Sequence, residues 1–313
     1  AGFSMTPPSR QCANVPIFFD TRGLSTGVGL TYTWYFGDGT VTTTNHDTIT
    51  HRYWSWAQNN CNIKQLYDVI LVVTDTNGCQ AVANDQAEVG PLPRAYFSST
   101  DWIICSTPVN GQIFGELTID REIEYPNCID FINVLWGDGT GAYNLDPNDF
   151  PLTHTYTQPG AYQVCGFFMG THGCSFDTCH TAIVEGEPLA SVTLSGASNG
   201  CAPHQVTFNI DDYQNNGPGS IYRWDWGDGS PLLEWDSTQV ASYTTLTHTY
   251  TESHCTNPFG TPNGYEVSLY IENLCGDTTM YYQYVEVYEA PTALFGVPSP
   301  LCVGEQFTLT NVT

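Results

Sequence analysis

Basic residues are almost missing from this chain. Seven Lys plus Arg face 32 Asp plus Glu over 313 residues, Lys64 is the single lysine, and the formal net charge is −25. Phosphate backbones and anionic lipid surfaces are bound through clustered Lys and Arg, so nucleic acid is excluded as an expected partner. No apolar run approaches the length of a membrane span, so no membrane insertion is expected. Helical periodicity is absent. So are a Gly-x-Ser-x-Gly elbow, a phosphate loop and a His-Glu-x-x-His zinc motif, and no catalytic role is expected. There is no starting Met and no signal-peptide pattern at Ala1; the numbered chain is expected to begin after processing or part-way along a longer protein. Charged residues make up only 12%, so the surface should consist largely of Thr, Ser, Asn, Gln and Tyr.

What is present is a repeat. Trp34-Tyr35-Phe36-Gly37-Asp38-Gly39-Thr40, Val134-Leu135-Trp136-Gly137-Asp138-Gly139-Thr140 and Trp224-Asp225-Trp226-Gly227-Asp228-Gly229-Ser230 are three versions of one motif. Each is followed by an echo: His51-Arg52-Tyr53, His154-Thr155-Tyr156 and His248-Thr249-Tyr250. Gly37 and Gly137 lie 100 residues apart (137 − 37), and Gly137 and Gly227 lie 90 apart (227 − 137), a span that can enclose a thin core. Later in each repeat comes an alternating stretch, Tyr67–Val73, Tyr162–Phe168 and Tyr265–Ile271, the mark of a strand with one buried face. The chain is therefore expected to be all-β, a tandem array of β-sandwiches. The expected domains are residues 1–92, 93–187 and 188–290. Residues 291–313 would be the opening strands of an incomplete fourth copy, aligned through Ala293-Leu294-Phe295 with Ala1-Gly2-Phe3.

The ordered set of aromatic-x-aromatic-Gly-Asp-Gly, His-x-Tyr and Tyr-x-Val-x-Leu-x-Val resembles the PKD domain, an immunoglobulin-like sandwich. The second copy departs from it, with Val134 where the others have Trp34 and Trp224. The cysteine-bearing form resembles PKD arrays in very long surface proteins of Bacteroidota. That resemblance implies sandwiches held end to end in an extracellular, cell-surface adhesin or filament. Its partners would be neighbouring copies or further domains of the same chain, and surface glycans. A competing reading is a non-catalytic accessory or carbohydrate-binding array of a secreted glycan-degrading enzyme.

Twelve cysteines without Cys-x-x-Cys spacing point to disulfides. Pairing inside each repeat is the expected framework: Cys12–Cys79, Cys105–Cys174 and Cys201–Cys275. Joining each first cysteine to the second cysteine of the next repeat recurs just as regularly, so that scheme stays open. Cys165 and Cys179 flank one turn symmetrically and are expected to face each other across a hairpin. Cys61 and Cys255 lie in corresponding insertions, and Cys61–Cys128 is the expected staple between the first two repeats. Cys302 would await a partner.

The turns Gly37-Asp38-Gly39, Gly137-Asp138-Gly139 and Gly227-Asp228-Gly229 should use glycine for backbone conformations closed to other residues, with Asp bonding its own backbone. The alternative role for Asp38, Asp138 and Asp228 is binding calcium, which wants six to eight oxygen ligands; no other cofactor is implied. The histidines of the echo are expected to be packed strand residues rather than zinc ligands. Asp211-Asp212 and Asp146/Asp149 read as acidic loop residues rather than an acid–base pair. Trp54, Trp56 and Trp235 stand outside the core pattern, either as binding aromatics or as plugs in interdomain joints. Asp-(Ser/Thr) triplets at Thr48, Ser237 and Thr278 resemble a Bacteroidota O-glycosylation pattern, and Asn311-Val312-Thr313 fits an N-glycan acceptor.

Overall fold

The computed structural model describes residues 1–7, 11–58, 61, 64–109, 112–254, 264–290, 295–296 and 310–311. Cys255 and Cys302, and most of the expected fourth repeat, lie outside them. Within them the chain forms three β-sandwiches in tandem, each made of two sheets. No helix among the described residues is long and apolar enough to cross a membrane.

The first sandwich shows the plan. One sheet holds β1 (Ser4–Thr6), β3 (Pro16–Asp20) and β6 (Thr48–Arg52), in the order β1-β3-β6. The other holds β2 (Gln11–Cys12), β4 (Thr31–Tyr35), β5 (Val41–Thr44), β7 (Gln65–Thr74) and β8 (Gln80–Gly90), in the order β2-β8-β7-β4-β5. All neighbours are antiparallel except β2, which runs parallel to β8 with Cys12 opposite Gly90. A chain that opens in one sheet and crosses to the edge of the other is the immunoglobulin-like arrangement. The alternating positions face inward: Val69, Leu71 and Val73 of β7 are buried beside Trp34, Phe36 and Phe19.

The second and third sandwiches repeat this order. In the third, Ser191–Ser195, His204–Asp211 and Thr245–Tyr250 form the smaller sheet. Asn199–Cys201, Thr278–Tyr288, Tyr265–Glu272, Ile221–Asp225 and Leu233–Asp236 form the larger. Trp224 and Phe208 fill its core. In the second, Val134 is fully buried at the position Trp34 and Trp224 hold elsewhere. Its core relies instead on Phe97 packed with Phe168 and Phe150. The Phe97 ring lies over Gly166, where a Cβ would fall 1.9 Å from it. Beyond the third sandwich, Phe295–Gly296 pairs antiparallel with Thr310–Asn311.

The chain divides into two compact units. One comprises Ala1–Trp102, Glu116–Thr155 and Tyr162–Ala182; the other comprises Ile103–Gly115, Tyr156–Ala161 and Ile183–Thr313. The second sandwich contributes to both.

Candidate functional site

The motif turns take the conformation glycine allows. Gly37 and Gly39 have φ of 80° and 94°, and the other two turns are alike. Gly37 also has no room for a side chain: a Cβ there would lie 2.7 Å from the Asp68 carbonyl oxygen on β7. In each turn one carboxylate oxygen of the Asp accepts the amide two residues on, Thr40, Thr140 or Ser230, at 2.9 Å. The other oxygen meets the histidine of the echo: Asp38–His51 at 2.7 Å, Asp138–His154 at 2.8 Å and Asp228–His248 at 2.7 Å. Each imidazole stacks on the aromatic residue just before the turn, Phe36 at 4.0 Å, Trp136 at 4.7 Å and Trp226 at 4.5 Å. The echo tyrosine adds to the latch. Tyr53 and Tyr250 donate to the carbonyls of Phe36 and Trp226.

This latch fastens the turn in one sheet to a strand of the other. Burial pushes the three aspartate carboxyls up, but hydrogen bonds from the histidine and from Thr40, Thr140 or Ser230 outweigh it, and all three sit below their ordinary range. Both oxygens of each carboxylate already accept a hydrogen bond from the protein. Among the described residues no three His, Cys, Asp or Glu side chains gather as a metal site. The donor set at Asp38, Asp138 and Asp228 therefore does not fit calcium, which needs several free oxygens around one point.

The cysteines differ from the expected framework. Cys12 bonds Cys174, and Cys105 bonds Cys275. Cys79 and Cys201 are free and exposed. Strand geometry explains the correction. Cys12 lies opposite Gly90, at the end of β8, whereas Cys79 precedes Gln80 at its start. An 11-residue strand separates them, roughly 35 Å at 3.4 Å per residue. In the third sandwich the 11-residue strand Thr278–Tyr288 likewise runs away from the Cys275 turn to Tyr288, opposite Cys201. A disulfide needs Cα atoms within about 7 Å. The opening cysteine therefore bonds the hairpin cysteine of the next sandwich. The expected Cys61–Cys128 staple and the Cys165–Cys179 cross-hairpin bond are both present.

The joints are packed as well as stapled. Where the first sandwich meets the second, the Gly90–Pro93 linker is buried. Leu92 exchanges backbone hydrogen bonds with the insertion, through its amide to Ser55 and its carbonyl from Ala57. Trp56 stacks edge-on against Phe176 at 5.3 Å, and Cys174 is buried among the first sandwich's core residues. Where the chain enters the third sandwich, Glu185 is fully buried beside the Cys105–Cys275 staple. Its Oε1 accepts the Gly219 amide at 2.8 Å, and its Oε2 has no partner. Desolvation pushes this carboxyl up. Asn273 donates from its side chain to the Gly186 carbonyl.

The three singled-out tryptophans separate. Trp235 is a core residue, buried and stacked between Tyr222 and Tyr243, which removes it as a binding aromatic. Trp56 belongs to the joint. Trp54 is 57% exposed. An aromatic stripe missed in the sequence is Tyr282 and Tyr284, exposed with Met280 on the outer face of Thr278–Tyr288; its signal was the alternation of that stretch. Of the glycosylation triplets, Thr278 is exposed and Thr48 half-buried. The Ser237 hydroxyl donates to the Pro218 carbonyl, which occupies it.

No family model matches the chain, and no curated protein matches it. Solved structures with similar elements include modules of a 1.5-MDa bacterial ice-binding adhesin, 11% identical, covering 93% of this chain and 98% of that one, with a TM-score of 0.23. A Bacteroides ovatus protein of the mixed-linkage glucan utilization locus, solved with a heptasaccharide, is 16% identical over 94% of this chain and 69% of that one, with a TM-score of 0.18. A chain of the complex between Dpr2 Ig1-Ig2 and DIP-Theta Ig1-Ig3 is 11% identical over 90% of this chain and 96% of that one, with a TM-score of 0.30. These likenesses carry no functional argument.

Proposed function

We propose that this chain is a non-catalytic segment of a long extracellular protein, an adhesin or surface filament built from PKD-type sandwiches. The observation that supports this reading best is the pair of disulfides joining successive sandwiches, Cys12–Cys174 and Cys105–Cys275. A binding or catalytic module gains little from being covalently locked to its neighbours. A load-bearing string gains a path for tension that outlasts unfolding. The near absence of Lys and Arg suits a surface that stays soluble and does not adhere to phosphate polymers. Its partners are neighbouring copies or further domains of the same chain. Thr278, exposed within its triplet, is the hydroxyl best placed to carry a glycan; a hexose-spaced mass ladder on its peptide tests that, and an unmodified peptide removes it. Electron microscopy of native, unreduced material tests the main reading. Uniform fibres are expected, and isolated flexible rods would overturn the assembly.

The exposed Trp54 and the Met280, Tyr282, Tyr284 stripe favour a second reading, a glycan-binding accessory array of a secreted enzyme, since exposed aromatic faces stack on sugars. A polysaccharide pull-down lost in Trp54→Ala or Tyr282→Ala would support it.

A further inference from the structure

Every sandwich carries the same two half-sites. The opening-strand cysteine sits on a short strand parallel to the last strand of its own sandwich, in one register: Cys12 opposite Gly90, Cys105 opposite Glu185, Cys201 opposite Tyr288. The hairpin cysteine sits in the turn between the last two strands. Two of the three opening cysteines are bonded, and each takes the hairpin cysteine of the sandwich after it. The two thiols left over are the hairpin cysteine of the first sandwich, Cys79, and the opening cysteine of the third, Cys201; both are exposed.

The free turn at Cys79 is built like the bonded one at Cys275. Asp75 accepts the Asn77 and Cys79 amides through Oδ1, as Asn273 accepts those of Cys275 and Asp277. The positive-φ glycine precedes Cys79 and follows Cys275, so the cysteine stands two places later in the first turn than in the third; it precedes the bonded Cys174 just as it precedes Cys79.

We infer that Cys79 and Cys201 are the two open rungs of a continuing disulfide ladder. Cys201 takes a hairpin-turn cysteine from a PKD-type sandwich that follows the third, and Cys79 takes an opening-strand cysteine from one that precedes the first. The strand pair Phe295–Gly296 with Thr310–Asn311 matches the β1–β3 pair that begins the first sandwich, which sets the following sandwich next in line. Bond formation removes one hydrogen from each thiol. A disulfide-class oxidant accepts the two electrons and two protons and leaves as two thiols, while one new S–S bond forms. The rule gives the string a direction, because an opening-type cysteine bonds only a hairpin-type one. It stands on the repeat geometry and not on the adhesive role, so a mapped ladder in material without fibres would leave it intact.

Peptide mapping of the native protein, alkylated without reduction, tests it. Cys201 should be recovered bonded to a cysteine from the turn closing a strand pair, and Cys79 to a cysteine ten or so residues into a repeat. If Cys201 is bonded to Cys79, the ladder passes between copies of this chain; if each partner peptide comes from elsewhere in the same polypeptide, it runs within one molecule. Either result supports the inference. Recovery of either residue as a free alkylated thiol, a like-to-like Cys79–Cys79 or Cys201–Cys201 bond, or a Cys12–Cys79 bond would overturn it.

Discussion

Pulling on the chain ends, with handles that use no cysteine, reads the staple topology directly. Once the sandwiches have unfolded, the extension between Cys12 and Cys275 is set by the shortest covalent path. That path crosses from Cys12 to Cys174, runs to Cys179 (179 − 174 = 5 residues), crosses to Cys165, runs back to Cys105 (165 − 105 = 60 residues) and crosses to Cys275. It is about 65 residues, or about 220 Å at roughly 3.4 Å per residue, against about 900 Å for the reduced chain. Without the Cys12–Cys174 staple the path runs instead from Cys12 to Cys61 (61 − 12 = 49 residues), crosses to Cys128, runs back to Cys105 (128 − 105 = 23 residues) and crosses to Cys275, about 72 residues. The double variant Cys12→Ser with Cys174→Ser should therefore unfold to a final length only about 20 Å greater than the parent. Pairing inside each sandwich gives a different result. The parent path would be about 53 residues, and the same variant would lose two shortcuts and lengthen by on the order of 200 Å. Single-molecule force spectroscopy resolves that difference easily. A gain of that size in the variant would refute the staggered staples and the reasoning from strand length behind them.

Other outcomes follow from the latches and the joints. Asp228→Asn removes a charge-assisted hydrogen bond to His248 and should destabilise the third sandwich by roughly 1–3 kcal/mol in urea titration, while calcium or chelator should leave the parent Tm unchanged. The three latch aspartates are held below the usual carboxylate range, so their contribution is complete above about pH 4 and disappears as pH falls through their lower folded-state values; Asp228→Asn should flatten that acid limb. Glu185 behaves oppositely. Its carboxyl is raised by burial, so its penalty is present at neutral pH, shrinks as pH falls through the raised value, and vanishes below about pH 4. Midpoints measured from pH 7 down to 5 should show a gain that Glu185→Gln abolishes. Trp235→Ala should lose roughly 3–5 kcal/mol, whereas Trp54→Ala should change stability by less than about 0.5 kcal/mol.

Much of the fold is legible in the residues. Alternation in Tyr67–Val73 and the recurring Gly-Asp-Gly specify strands and turns wherever the physics is local. The latch is less legible. Aspartate and histidine both recur, but their separation grows through the three repeats (51 − 38 = 13, 154 − 138 = 16, 248 − 228 = 20). No fixed spacing marks the contact; only recurrence in every copy could have paired them. The Cys165–Cys179 pair is legible from the turn between them, whereas the partners of the once-per-repeat cysteines are not, because both schemes recur once per domain. What decides between them is the parallel register of β2 on β8, a long-range pairing that two residues, Gln11 and Cys12, cannot announce. Trp235 misleads because a bulky residue after a turn looks peripheral until Tyr222 and Tyr243 are seen on its two faces.

The two long staples overlap, since one spans Cys12 to Cys174 and the other Cys105 to Cys275. A protease that cuts any one peptide bond between Cys12 and Cys275 therefore separates nothing. The pieces stay covalently joined by at least one bridge, and a nick in the shared stretch is spanned by both. Damage that would sever an ordinary string of domains becomes, in this one, an internal scar.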